Sequence, residues 1–301
     1  KLKKLKHQRT IKKEISFSGI GIHKGCENVV KLFPKGDNYG IKFQKGESKD
    51  LLELHTKYIN DTNRSTNIKK NNFEICTVEH LLSSIYALGI DNILIQVFGN
   101  EIPIYDGSSK IFTEKILKNG IEKLKSLKNK IEIKKIEVIK FERSTYYIMP
   151  DSELKIEVIL NYNNIISQTT HLREISKYKD EVSSARTFCM LSDIIKMDKA
   201  NLIKGGNINN AIIFNDVKLS EKDLNYLKKR FSINPKIDNF KIVNNKKLRF
   251  KNEPARHKLL DLIGDLSFLN KELKGRIIAI KPSHKTNIKL VNHLLEKYEN
   301  S

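Results

Sequence analysis

The stretch Arg256-His257-Lys258-Leu259-Leu260-Asp261-Leu262-Ile263-Gly264-Asp265-Leu266 decides how the chain is read. At helical period, Leu259, Leu260, Leu262, Ile263 and Leu266 form one broad apolar face, while His257, Asp261 and Asp265 fall at i, i+4 and i+8 along another. Successive turns of a helix bring an imidazole and a carboxylate at i, i+4 to the same side, close enough to share one ion. On its own the spacing also describes a solvated face carrying an i,i+4 contact.

A second stretch, Thr77-Val78-Glu79-His80-Leu81-Leu82, opens another amphipathic helix. Val78, Leu81, Leu82, Ile85 and Leu88 make its apolar stripe, which leaves Thr77, His80 and Ser84 on the opposite side and Glu79 at the edge. A core histidine would sit inside the stripe, and His80 does not. Two histidines and a carboxylate from separate helices, His80, His257 and Asp261, with Glu79 beside them, fit a catalytic Zn²⁺ site with an open fourth position.

The chain of 301 residues is long enough for two domains, and its 39% hydrophobic share can build a core for each. No run approaches the ~18 apolar residues of a membrane span. Cys26, Cys76 and Cys189 are an odd set without metal-type pairing, which suits a reducing compartment, and the expected location is cytoplasmic. An organellar origin stays open because the numbered chain does not begin with Met. The basic N-terminal Lys1-Leu2-Lys3-Lys4-Leu5-Lys6 lacks an apolar core and reads as a solvated tail rather than a secretory signal.

A net charge of +21 would attract a polyanion. Yet only nine of the 56 basic residues are Arg, so the bidentate forks favoured for reading bases and phosphates are scarce. The lysines are spread along the chain among many Asn, with no RNP-like or zinc-finger spacing, so no specific nucleic-acid partner is expected. A basic nucleic-acid-binding protein is kept as an alternative, as is a catalytically idle zinc-binding relative.

Short extended runs over 11–17, 28–33 and 40–43, separated by glycine turns, predict strands. Ser18-Gly19-Ile20-Gly21 lacks the third Gly and following helix of a dinucleotide loop and reads as hairpin chemistry. A strand over 92–98, a loop over 101–109 and a helix over 112–118 closed by Gly120 follow. The Lys-rich segment 121–130 is the candidate linker. Strands over 131–139, 146–149 and 154–161 come next, and a strand over 276–281 leads into a last helix over 286–298. Both halves thus run strands first and helices later, an α+β pair of domains spanning 1–125 and 126–301. Between them, Phe188, Met190, Leu191, Ile194 and Ile195 read as core.

Five blocks in register carry a family resemblance: Thr77 to Leu82, Gly89-Ile90-Asp91-Asn92, Glu101-Ile102-Pro103-Ile104-Tyr105-Asp106-Gly107-Ser108, Arg186-Thr187-Phe188, and the His257 helix. In this order the chain resembles UDP-3-O-acyl-N-acetylglucosamine deacetylase, the zinc amidase of lipid A biosynthesis. The resemblance extends from Ser18-Gly19-Ile20-Gly21-Ile22-His23 to Lys281-Pro282-Ser283-His284. It implies two domains with sheets outside and helices packed between them. The metal then lies at their interface, His80 coming from one and His257 with Asp261 from the other. It further implies an apolar acyl passage built by the piece around Phe188, a structural role for His23, and acidic residues in the 101–109 loop that brace the site. The chain departs from the family's usual pattern near Ser65, where a Cys is usual, around Asn161-Tyr162-Asn163-Asn164-Ile165-Ile166, where an aromatic-Asp-His-Pro run is usual and the His-Pro is not kept, and at Ser283, where a Gly is usual.

The resemblance also implies roles. Zn²⁺ on His80, His257 and Asp261 would lower the pKa of a bound water and polarise the acetamide carbonyl. Glu79 would be the general base and Thr187 an oxyanion donor. His284, oriented by Asp265, would stay protonated and serve the departing amine. Lys258 would contact the substrate's polar head and Phe188 its acyl side. The substrate would be a small-molecule UDP-acyl-sugar, and the protein a monomer.

Overall fold

The computed structural model describes residues 6–162, 165–200, 203–218, 220–231, 242–243 and 246–298. Residues 1–5 of the basic tail, and residues 163 and 164 within the departure around 161–166, lie outside the described residues.

Alternating burial builds two mixed sheets. In spatial order the first holds Ile15–Ile20, Glu27–Pro34, Ile93–Phe98, Ile41–Lys45 and Leu51–Glu53. The second holds Glu137–Phe141, Ser144–Met149, Glu272–Ile280, Leu154–Tyr162 and Ile166–Leu172, with Lys130–Glu132 added alongside Glu272–Ile280. In Ile93–Phe98 and Leu154–Tyr162 every second residue is buried, as strands facing a core on one side require. The helices are α1 (Glu79–Ala87), α2 (Lys110–Asn119), α3 (Tyr178–Glu181), α4 (Leu191–Lys199), α5 (Glu221–Phe231), α6 (Glu253–Leu266) and α7 (His284–Tyr298).

The two halves share one topology. Each runs four strands, a helix, a fifth strand and a closing helix, and in each the fifth strand enters between the second and third, antiparallel to one and parallel to the other. Each half also carries an insertion between its fourth strand and first helix. In the first it is a three-stranded sheet, Ile59–Asp61, Asn67–Lys70 and Phe73–Ile75; in the second it includes α3 to α5. The α+β class therefore holds, and the Ile15–Ile20 and Glu27–Pro34 strands make the hairpin expected at Ser18-Gly19-Ile20-Gly21.

Two expectations change. Segment 121–130 is not an open linker: Ile121–Leu127 is a strand antiparallel to His7–Ile11. Its lysines hid it, because this strand buries little of its own side chain, while its partner His7–Ile11 supplies the buried Ile11. Segment 131–139 is two strands, since Lys130–Glu132 pairs with Glu272–Ile280 and Glu137–Phe141 pairs with Ser144–Met149. We propose that the halves divide near residue 128, where pairing passes from the first half to the second. No helix among the described residues is long and apolar enough to cross a membrane.

One apolar core runs through both halves, and its middle is the crossing of α1 with α6. α6 lies on Leu154–Tyr162 and Ile166–Leu172, while α1 shares the core with the first sheet. At the crossing a Cβ on Gly264 would stand 2.3 Å from the Glu79 carbonyl oxygen. Ala is normally favoured over Gly in a helix by about 1 kcal/mol. Here the overlap with fixed backbone wins, since overpacking costs about 1–3 kcal/mol. Gly264→Ala is therefore expected to lower the melting temperature by a few degrees; a thermal scan showing an unchanged or higher midpoint would contradict the close crossing.

Candidate active site

The crossing brings the polar stripes of α1 and α6 face to face. Both helices are buried almost all round, so His80, His257 and Asp261 are each at most 4% exposed. His257 Nε2 stands 3.3 Å and His80 Nε2 3.8 Å from the same Asp261 oxygen, Oδ1, and the two imidazoles meet edge to face. One donor atom from each of the three lies within 4.8 Å of the others. His257 Nδ1 is hydrogen-bonded to the Ala185 carbonyl at 3.0 Å, which fixes that nitrogen as the donor and turns Nε2 toward Asp261.

Among the described residues, Asp261 Oδ1 and His80 Nδ1 are buried without hydrogen-bond partners. Such atoms are costly in a low-dielectric interior. Burial holds the His80 imidazole down to about 3, with His257 adding to the effect, and burial also lowers His257. Both imidazoles are thus neutral at ordinary pH. Burial alone would raise Asp261, but His257, Lys258, His284 and His80 together hold it well below the usual carboxylate range. Two neutral imidazoles and one carboxylate, closely spaced and with an orphaned oxygen at their centre, are a donor set that fits a divalent transition metal.

Across from this triad Glu79 faces His284. Glu79 Oε1 and Asp261 Oδ2 each lie 3.8 Å from His284 Nε2. His284 Nδ1 is held by Asp265 Oδ2 at 2.9 Å, and Asp265, fully buried, also takes hydrogen bonds from Asn287 Nδ2 at 2.8 Å and Thr66 Oγ1 at 2.6 Å. Burial pushes Glu79 up to about 7; Asp261 and Asp265 add to this and His284 opposes it. Burial would lower His284, but Asp265 and Asp261 outweigh it and lift the ring to about 9. The two facing groups are therefore poised in opposite protonation states near neutrality.

These residues open on one cavity of about 290 Å³. Its polar end carries Glu79, His80, His257, Lys258, Asp261, His284 and Thr187; its apolar end carries Phe188, Met190, Ile194, Met197, Ile203 and Ile213. Lys258 Nζ bonds Asp261 Oδ2 at 2.8 Å and lies 5.9 Å from the Phe188 ring centre. Burial alone would lower the Lys258 amine, but Asp261 raises it above its ordinary value. Arg186, beside Thr187, makes a buried ion pair with Glu253, the first residue of α6. Glu79, His80, Thr187, Phe188, His257, Lys258, Asp261 and His284 thus line one cavity, Asp265 stands behind it bonded to His284, and Met190, read as core from sequence alone, lines it too.

Other placements differ in detail. His23 lines the cavity, and its backbone N–H and that of Lys24 donate to Glu101. Glu101 also accepts from Thr77 Oγ1, and Asp106 pairs with Arg249, as bracing residues of the loop would. Thr77 carries a left-handed backbone, φ 60°, at the entry to α1, a strained conformation for a β-branched residue that its bonds to Asn67 and Glu101 maintain. Ser65 is buried and bonded to Asn67, and Ser283 accommodates its place without a positive φ while bonding Thr286. Sequence reading missed Thr66 and Gly264, since a hydroxyl in a loop and a glycine in a helix carry no local signal of what lies opposite.

Comparison with known proteins places the chain in a family. The family model LpxC: UDP-3-O-acyl N-acetylglycosamine deacetylase matches residues 8–231 and 236–296. A bifunctional enzyme LpxC/FabZ of Bacteroides thetaiotaomicron is 36% identical over 294 residues, which cover 95% of this chain and 64% of the relative. Another from Chlorobaculum tepidum is 37% identical over 304 residues, covering 97% of this chain and 64% of the relative. The chain therefore spans 64% of the length of these bifunctional relatives. The UDP-3-O-acyl-N-acetylglucosamine deacetylase of Helicobacter pylori is 34% identical over 296 residues, covering 97% of this chain and 92% of the relative. With a buried triad that could hold a metal ion and a match that runs from residue 8 to residue 296, this chain belongs to the LpxC family of UDP-3-O-acyl N-acetylglycosamine deacetylases.

Proposed function

We propose that this chain is a zinc metalloamidase that hydrolyses the N-acetyl group of UDP-3-O-(3-hydroxyacyl)-N-acetylglucosamine to acetate and a free amine, within lipid A biosynthesis. The observation that carries the reading is the buried His80, His257 and Asp261 triad facing Glu79 and His284 across one half-apolar cavity. The substrate follows from the family and from the Helicobacter pylori relative.

His80, His257 and Asp261 would hold the zinc, which supplies Lewis-acid chemistry there: activation of water and polarisation of a carbonyl. Glu79 takes a proton from the water as its oxygen adds to the acetamide carbon. Thr187 donates a hydrogen bond to the oxyanion that develops on the carbonyl. His284, held by Asp265, gives a proton to the nitrogen as the C–N bond breaks, so that amide and water become acetate and amine. Lys258 meets the anionic head of the substrate, and Phe188 borders the space for its acyl chain. The same proposal makes the protein a cytoplasmic monomer: its three thiols are free, and every group of the site comes from one chain.

His257→Ala should lose its metal by elemental analysis, while His171→Ala, changed on an exposed strand face, should keep it; equal metal content would refute the ligand assignment. Acetate release should vanish on chelation and return with zinc, and Glu79→Gln should lose about 10²–10⁴-fold in kcat with metal retained. The pH profile should be a bell. Activity falls as pH drops through the raised Glu79 value of about 7, where the base gains a proton, and falls again as pH rises through about 9, where His284 loses one. A bound dication draws both limbs to lower pH. A flat profile would remove one of the pair from the reaction.

A further inference from the structure

We propose that Thr66 is a positioning residue that fixes both members of the acid–base pair through one loop residue. This rests on the deacetylase reading above. Thr66 is fully buried between Ile59–Asp61 and Asn67–Lys70, in the insertion of the first half. Its backbone N–H donates to Glu79 Oε2 at 3.0 Å, and its carbonyl accepts from Val78 N at 3.1 Å. One oxygen of Glu79 is thereby pinned, and the other, Oε1, is left facing His284 Nε2.

The hydroxyl acts on the opposite partner. Oγ1 has a single hydrogen, which it donates to Asp265 Oδ1 at 2.6 Å. The same oxygen lies 3.1 Å from His284 Nδ1, where it has only lone pairs left to offer. Nδ1 must therefore carry the hydrogen, shared between Thr66 Oγ1 and Asp265 Oδ2. An imidazole so held keeps Nδ1–H after Nε2 has given up its proton. The bare nitrogen then faces the cavity, in the form needed to take a proton up again. Asp265 alone could hold the ring at one edge; the hydroxyl supplies the second acceptor that stops it from tilting.

Thr66→Val keeps the N–H bond to Glu79 and removes only the hydroxyl, and Thr66→Ala serves as a smaller hydroxyl-free variant should Val disturb folding. Thr66→Ser restores the hydroxyl without the methyl group. Two measurements decide: kcat and KM of the zinc-loaded enzyme, and solvent exchange of the His284 Nδ1–H proton by NMR on the metal-free protein. We expect the hydroxyl-free variants to lose about 10–100-fold in kcat with KM nearly unchanged and metal retained, and Ser to recover most of it. Exchange at Nδ1–H should quicken in the hydroxyl-free variants and not in Ser. Wild-type kcat and exchange in Val or Ala would overturn the proposal, as would a Ser variant as impaired as they are, since the methyl group would then be what matters. If the wild type releases no acetate, the substrate reading fails, while the exchange comparison still decides the role of Thr66.

Discussion

Everything in the site depends on how closely α1 and α6 approach. Gly264 presents bare backbone to the Glu79 carbonyl, so the turn that carries Glu79 and His80 rests directly on the turns that carry Asp261 and Asp265. The contact is then locked by polar groups: Tyr178 OH donates to Ser83 Oγ, which donates to the Leu260 carbonyl, each at 2.8 Å. A glycine in mid-helix costs about 1 kcal/mol. The leucines and isoleucines buried on both sides of the crossing offset that cost, at about 1.5–3 kcal/mol for each fully buried side chain. Distance at the metal triad is thus a property of packing rather than of the ligands themselves.

The same packing forces six ionisable side chains, Glu79, His80, His257, Asp261, Asp265 and His284, to at most 6% exposure. Stripping water from so many such groups would cost several kcal/mol for each charged one without compensation. Compensation is uneven. The Asp265 side is settled, with Thr66, Asn287 and His284 filling the carboxylate, and Tyr146 and Thr286 extending the network behind them. The Asp261 side is left with an orphaned oxygen and an orphaned imidazole nitrogen. A network completed by its own hydrogen bonds lies beside one in which Lys258 satisfies one oxygen of Asp261 and the other is left open, and the proposed division of labour between proton transfer and metal binding follows that difference.

What the sequence disclosed is what one helical turn encodes. His257, Asp261 and Asp265 lie within nine residues, and the 3.6 period aligns them without help from the rest of the chain. The alternating strands and Gly120 at the end of α2 were readable for the same reason. Thr66 was not, because it meets Asp265 and His284 across 199 and 218 residues, and no local pattern records such a pairing. Nor was the strand Ile121–Leu127, whose exposed lysines break the alternation that marks a strand, the buried side chains coming instead from its partner His7–Ile11. Gly264 stood in the quoted helix as an ordinary weak helix former, since its purpose lies entirely in the backbone opposite.

The repeated topology explains why the site sits where it does. Corresponding first helices, α1 and α6, meet at the centre, and the insertion before each reaches over the crossing from its own side. The first insertion delivers Thr66 to the acid–base pair. The second delivers Ala185 to the back of His257, then Thr187 and Phe188 to the cavity wall. Arg186, within that run, is clamped by Glu253, which also accepts the Arg249 backbone N–H, while Arg249 itself pairs with Asp106 of the first half. The cavity wall at Thr187 and Phe188 and the orientation of His257 therefore share one anchor at the start of α6. Removing either partner of that anchor leaves a buried charge unpaired and loosens both at once, so the shape of the cavity and the geometry of the proposed metal site are coupled through one ion pair.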